Sequence, residues 1–412
     1  MSDSINGSPR LHLPVIAFLL VGLLSSYQII DAVLFRVEGV QRAIYAVVVA
    51  TVICFLMFGL RELPIDRRLR HIAWIWLLAA VVFLIPSFFA SPVYPGYVLG
   101  DFISITLPLL FIFAGVRFPA LFAGSLPRDA LIAALFAALV LGVTVGGSVN
   151  NRFEPPATAL IGLIWVRLFA SRSVVARIGI LAAVVFVGAA AWASGNRTSV
   201  VLWLLGGAAF AGFTWRLRTL IVIGLLSAGA AYYAGAEAIV GGLQTSLAET
   251  RFQENTQGEL DASLLERINE ALDVIWTFGT TESVTRYVVG FGHGATFQPR
   301  LSYPVRNLTH EGVAHHIHIG PAMIFYRYGA LGLAAYLGLW ALVIRTLIRL
   351  RRSCLRRVPL DLAEMAFALT LLLYLIDGLL RNVLVDPLFS FVLAGFLYYV
   401  MCRPAAEAAR VA

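Results

Sequence analysis

Four of the chain's seven histidines fall within nine positions, in the stretch HEGVAHHIHIGPAMIFYRYGALG that runs from His310 to Gly332. Imidazoles titrate near neutrality, bind metals and act as bases, so such a cluster points toward chemistry. Three readings stand open. One is a zinc site drawn from His310, Glu311, His315, His316 and His318, although no HExxH spacing is present. The second is a structural cluster at the level of lipid headgroups, and the third a catalytic or ligand-binding role for at least one ring. Pro321 disfavours a helical Gly320 and suits the first helical position, so the pattern predicts a helix that starts at Pro321. His318 then lies just ahead of a helix N-terminus. The partial positive charge there favours a neutral imidazole and attracts anions, as a base beside a bound phosphate requires.

Two arginines and a glycine turn extend the set. Arg197, in ASGNRTSVV, is either a solvated loop cation or an anion ligand whose planar fork suits phosphate. Arg267 sits beside Glu266 and Glu270, where an i to i+3 pair with Glu270 competes with a ligand role. VVGFGHGATF carries glycines at 290, 292 and 294 around His293. Alternating glycines let a backbone approach a ligand or turn tightly, but the spacing is not a dinucleotide fingerprint. Asp101, Arg167, Arg327, Asp377, Arg381 and Asp386 are ionisable residues inside or near apolar runs, and such residues are functional candidates by default. Asp377 and Arg381 stand at i to i+4 as a structural pair, and Arg327 is within reach of the histidines.

The elements that must hold these residues are membrane spans. Of 412 residues 60% are hydrophobic and 13% charged, with a net charge of +8 carried entirely by arginine, and the mean hydropathy is +0.85. Soluble domains are about 45–50% apolar, so the composition is that of a polytopic membrane protein, and its basic charge needs no nucleic-acid partner. Crossing a bilayer takes about 17–25 residues. Runs of that order occur near 13–30, 43–60, 72–90, 97–115, 130–148, 156–171, 178–194, 198–213, 219–241, 322–344, 362–380 and 385–402. The first reads as a retained span, not a cleaved signal. Cys54, Cys354 and Cys402 form no CxxC pair, so neither a disulfide framework nor a thiolate metal site is expected.

Arginine sets the orientation. The connections at 61–71, 116–128, 171–177, 215–218 and 345–357 are basic and alternate with Arg-poor ones at 91–97, 146–156 and 194–199. By the positive-inside rule the basic set and both termini are cytoplasmic. The long connection 242–321, between the ninth and tenth spans of a single membrane domain 1–412, then faces the periplasm or the exterior. Within it, DASLLERINEALDVIWTF (261–278) reads as an amphipathic helix with a stripe of Leu264, Leu265, Ile268, Leu272, Ile275 and Trp276 lying against the bundle. Ser263 and Glu266 stand in capping-box spacing. The expected fold is an all-α bundle of about twelve spans with one large loop carrying amphipathic helices.

Taken together, these stretches resemble the bacterial O-antigen ligase and O-antigen polymerase superfamily. SGNRTSVV is similar to its first arginine motif, ERINEALDVIWTF and VVGFGHGATF to its second arginine and Gly-x-Gly turn, and HIGPAMIFYRYGALG to its histidine followed by G-x-x-G, here Gly329 and Gly332. The motifs cover residues 194–332, and the topology covers the whole chain. Where the family usually has Asn, Ser or Gln after the histidine, this chain has Ile319, so His316 or His318 takes the family role, and the G-x-x-G register favours His318. The resemblance implies a GT-C-like bundle in the bacterial inner membrane with its site facing the periplasm. Arg197 and Arg267 would bind the pyrophosphate of a polyprenyl-diphosphate-linked glycan, and His318 would act on the acceptor hydroxyl. Gly292, His315, His316 and Arg327 join the substrate contacts. No metal, cofactor or nucleotide sugar is implied. The acceptor, a lipid A core in a ligase or a growing glycan in a polymerase, stays open.

Two other classes remain. A transporter of a lipid-linked sugar or an anion would use Asp101, Arg167 and Asp377 for coupling, although no internal repeat of the kind many transporters carry is seen. A metal-dependent membrane hydrolase would need the histidines as ligands.

Overall fold

The computed structural model describes residues 67–89, 94–114, 174–193, 201–207, 262–281, 283–299, 312–356, 362–379 and 387–401. The runs expected near 13–30, 43–60, 130–148, 156–171 and 219–241 lie outside them, as do Arg167, Arg197, His310, Arg381 and Asp386. Among the described residues the protein is helical, and the sole extended pairing is an isolated bridge between Phe297 and Ala314.

The helices are α1 (Arg67–Val82), α2 (Leu84–Phe88), α3 (Pro95–Ala114), α4 (Val174–Ala193), α5 (Ala262–Gly279), α6 (Val284–Val289), α7 (Gly320–Leu355), α8 (Leu362–Asp377) and α9 (Pro387–Met401). α9 packs on α3 and α8, α8 on α7, α6 on α7, and α1 on α3. Residues 201–207 are also helical. Trp203 there donates its indole N–H to the Val184 carbonyl at 3.0 Å and lies against Gly188, which ties this turn to α4.

Among the described residues two stretches, His71–Phe88 and Gly320–Leu355, are long and apolar enough to cross a membrane. Only 22% and 17% of their apolar windows are buried, whereas the core helix of a soluble protein is mostly buried. Trp74, Ile75 and Leu78 point outward from α1. By contrast α8 is buried almost throughout its described side chains, with Tyr374 and Leu371 fully enclosed.

Three boundaries differ from expectation, each for a local reason. The run at 72–90 breaks at Phe83, because Pro86 has no N–H to donate to Val82, and α2 begins anew. α7 starts at Gly320, one residue before Pro321; the Gly320 N–H is not lost, since it donates to the Gly378 carbonyl at 2.8 Å. The basic stretch 345–357, expected as a connection, is helical to Leu355. Arginine is a good helix former, and Arg349 on the added turns pairs with Glu364 of α8.

α7 is interrupted at Gly329, where φ is 62° and ψ is −158°. The interruption frees the Tyr326 and Arg327 carbonyls from their usual i+4 donors. Phe291 and Gly292 supply replacements at 2.9 and 2.8 Å. In an apolar environment such carbonyls must be satisfied by protein, so the kink and the glycine turn at 290–294 form one device.

Candidate functional site

α5 buries an unexpected face. Ile268, Leu272, Ile275 and Trp276, the stripe expected against the bundle, are exposed, while Glu270, Asp273, Val274 and Phe278 on the opposite face are buried. The polar groups that α5 turns inward set its demands. A carboxylate turned inward must find donors, and Glu270 finds them on His318.

Glu270 Oε2 accepts the backbone N–H of His318 at 2.8 Å, and both carboxylate oxygens lie 2.9 Å from its Nδ1. A carboxylate that already accepts a backbone N–H takes a second donor, so Nδ1 carries the ring proton. Nε2 is then the lone-pair nitrogen, on a side chain that is 29% exposed while Glu270 is 2% exposed. A buried carboxylate that fixes the tautomer of a half-buried imidazole is an arrangement able to orient a general base. The expected Arg267 to Glu270 pair is not made. Arg267 is half-buried one turn earlier on α5 and forms no ion pair among the described residues.

His316 meets the His318 ring edge-on, with centroids 4.7 Å apart. Burial, the neighbouring His318 and Arg327 push its imidazole down to about 3, so it stays neutral. His315 belongs to a separate group. Its ring stacks on Tyr97 at 4.1 Å and its Nδ1 donates to the Ala295 carbonyl at 3.2 Å. Arg327 Nη2 donates to His315 Nε2 and to its carbonyl, both at 3.0 Å, and Nη1 to Asp101 Oδ1 at 2.7 Å. Asp101 Oδ2 accepts the Gly294 N–H at 2.7 Å. Arg327 is 2% exposed and Asp101 5%, and Nε of Arg327 has no hydrogen-bond partner among the described residues. This buried group clasps α3, α7, the glycine turn and the 312–318 strap together.

Gly292 sits against α2: a Cβ there would lie 2.6 Å from Ser87 Oγ and 2.7 Å from the Ser87 nitrogen, and φ is +89°. The close approach that its glycine serves is between two protein backbones. Gly294 does the same against Val98 of α3. His293 is buried in the turn, with Nε2 at 3.0 Å from the Ala80 carbonyl and Nδ1 at 3.2 Å from the Tyr328 hydroxyl. Burial lowers its basicity.

Of the residues singled out from the sequence, His315, His316 and His318 lie on the strap, Arg327 reaches His315, Gly292 donates its N–H to the Arg327 carbonyl, and Arg267 is on the helix that carries Glu270. Arg197 lies outside the described residues. Glu270, Asp101 and Tyr97 were not assigned these contacts. Only the inward polar face of α5 could have hinted at Glu270. Among the described residues, no three His, Cys, Asp or Glu side chains gather as metal ligands. No family model and no curated protein matches the chain.

Proposed function

We propose that this chain is an integral inner-membrane glycosyltransferase that moves a polyprenyl-diphosphate-linked glycan onto an acceptor sugar at the periplasmic face. Ligation to a lipid A core and polymerisation of a glycan are the two forms of this reaction. The observation that carries the reading is the His318–Glu270 dyad, with Arg267 one helical turn from Glu270 and free of any described ion pair.

In this reaction His318 Nε2 takes the proton of the acceptor hydroxyl while its oxygen forms a bond to the anomeric carbon. The bond from that carbon to the lipid diphosphate breaks, and its electron pair leaves with the diphosphate, inverting the centre. Arg267, and Arg197 from the first sequence motif, hold the leaving group as its charge grows, which fixed guanidinium donors do without proton transfer. Glu270 holds the imidazole in the tautomer that can accept. His316 stays neutral beside the base and lines the approach of the acceptor. The Asp101–Arg327–His315 group keeps the strap in place, so Arg327 acts here through position.

The test mixes purified protein with a polyprenyl-diphosphate glycan, with lipid A core in one tube and no second acceptor in another, each with and without EDTA. Transfer to core marks a ligase and longer lipid-linked chains mark a polymerase, with rates unchanged by EDTA. Arg267→Ala and His318→Ala remove transfer while the protein still inserts, and Arg267→Lys restores little because the fork is lost. Loss with EDTA would favour the metal-dependent hydrolase. No transfer by folded protein would favour a transporter.

A further inference from the structure

An opening with no histidine among its described lining residues is also present. Between α2, the end of α5, α6 and the glycine turn is a cleft of about 730 Å³. Its walls differ in kind. Val82, Ile85 and Phe89 form one, and all three are exposed residues in or next to the apolar stretch His71–Phe88. Ser283, Thr285 and Arg286 belong to the other, and among the described residues no Asp or Glu lines the cleft. The Arg286 guanidinium lies 4.7 Å over the Phe291 ring and forms no ion pair with a described residue. The Ser283 and Thr285 hydroxyls are exposed and make no hydrogen bond among the described residues.

We propose that this cleft binds the phosphate headgroup of an anionic bilayer phospholipid. Arg286 is the phosphate ligand, Ser283 and Thr285 add donors, and the acyl chains run along α1 and α2. A guanidinium fork matches phosphate oxygens, and no described carboxylate lines the cleft to oppose its charge. A small free anion would leave the apolar wall wet, whereas a lipid covers both walls with matching chemistry. The occupant is a lipid of the bilayer, distinct from a transfer substrate. The cleft contains none of Arg267, Glu270 and His318, and Thr277, its residue on α5, is seven positions from Glu270. Seven residues span about 10 Å of helix axis.

The experiment uses the full chain in neutral detergent, titrated with dioleoyl phosphatidylglycerol or dioleoyl phosphatidylcholine, with retained lipid read by native mass spectrometry. The wild type is expected to retain phosphatidylglycerol about tenfold more tightly, a difference one charged ligand can supply. Arg286→Gln removes the preference, Arg286→Lys keeps part of it, and Arg351→Gln, an exposed arginine of α7 outside the cleft, keeps all of it. Ser283→Ala with Thr285→Val weakens retention without changing charge and serves if Arg286→Gln fails to fold. Equal retention of the two lipids, an unchanged preference in Arg286→Gln, unchanged retention in the Ser283→Ala with Thr285→Val variant, or an equal loss in Arg351→Gln would overturn the proposal. So would displacement of the phospholipid by millimolar inorganic phosphate, or by farnesyl diphosphate at equal concentration.

Discussion

Replacing Glu270 by glutamine keeps the size and planar head of the side chain and alters the property on which the His318 contact depends. The carboxylate accepts both the His318 backbone N–H at 2.8 Å and the Nδ1 proton at 2.9 Å. Glutamine offers one acceptor oxygen and one amide donor. Its oxygen stays on the backbone N–H, which has no other acceptor, and its NH₂ then faces Nδ1. The ring responds by moving its proton to Nε2, the atom that takes the acceptor's proton in the proposed reaction. A positioned base contributes on the order of 10²–10⁴-fold, so kcat should fall by that factor, or about 3–5 kcal/mol of barrier. KM should change less than about threefold, because no group that binds the donor is altered. The assay is initial-rate transfer from a polyprenyl-diphosphate glycan, run beside a detergent melting curve. Glu270→Ala, which leaves two His318 donors unsatisfied, should also lower stability by about 1–3 kcal/mol. A Glu270→Gln enzyme with wild-type kcat, or one whose loss is matched by general unfolding, would refute the dyad.

Three further outcomes are expected. Asp101→Asn and Arg327→Met should each cost about 3–5 kcal/mol by leaving a buried charge unpaired, whereas the double variant should cost much less than their sum; additive losses in denaturant unfolding would contradict the buried pair. Gly329→Ala should destabilise by at least about 1–2 kcal/mol, since φ is +62° and a Cβ would collide with the Val288 and Gly290 backbone; Gly338→Ala, in open space, should melt like the wild type. His316 has a folded value near 3 against an ordinary 6.5, so the unfolded chain takes up its proton first as pH falls. Its contribution to stability is complete above pH 6.5 and is lost progressively toward pH 3, and His316→Asn should flatten that acid limb of the melting temperature; an unchanged limb would refute the shift.

Much of the local structure is legible in the sequence, because length, apolar content and helical period are local properties. The reading of 261–278 as a helix agrees with Ala262–Gly279, and those of 97–115 and 362–380 agree with α3 and α8 to within a few residues. Composition alone sets the helical class, and Pro321 marks the start of α7 to within one residue. The pattern on α5 also shows that it has two faces, but not which one turns inward. The apolar stripe alone favours the opposite face; the face that turns inward is the one whose Glu270 finds its donors on His318.

The partners of the site residues were decided in tertiary structure. Glu270 meets a histidine 48 positions away, and Arg327 meets an aspartate 226 positions away. Nothing in the spacing along the chain encodes these distances. The glycines at 290 and 292 look from the sequence like a place for a ligand, yet both meet the kinked helix: Gly290 packs against the Arg327 backbone, and Gly292, with Phe291, gives its N–H to a freed carbonyl. Local sequence determines which segments become helices, since each helix closes its own hydrogen bonds. Buried charges and broken helices cannot close theirs, and only the assembled fold brings them the partners they require.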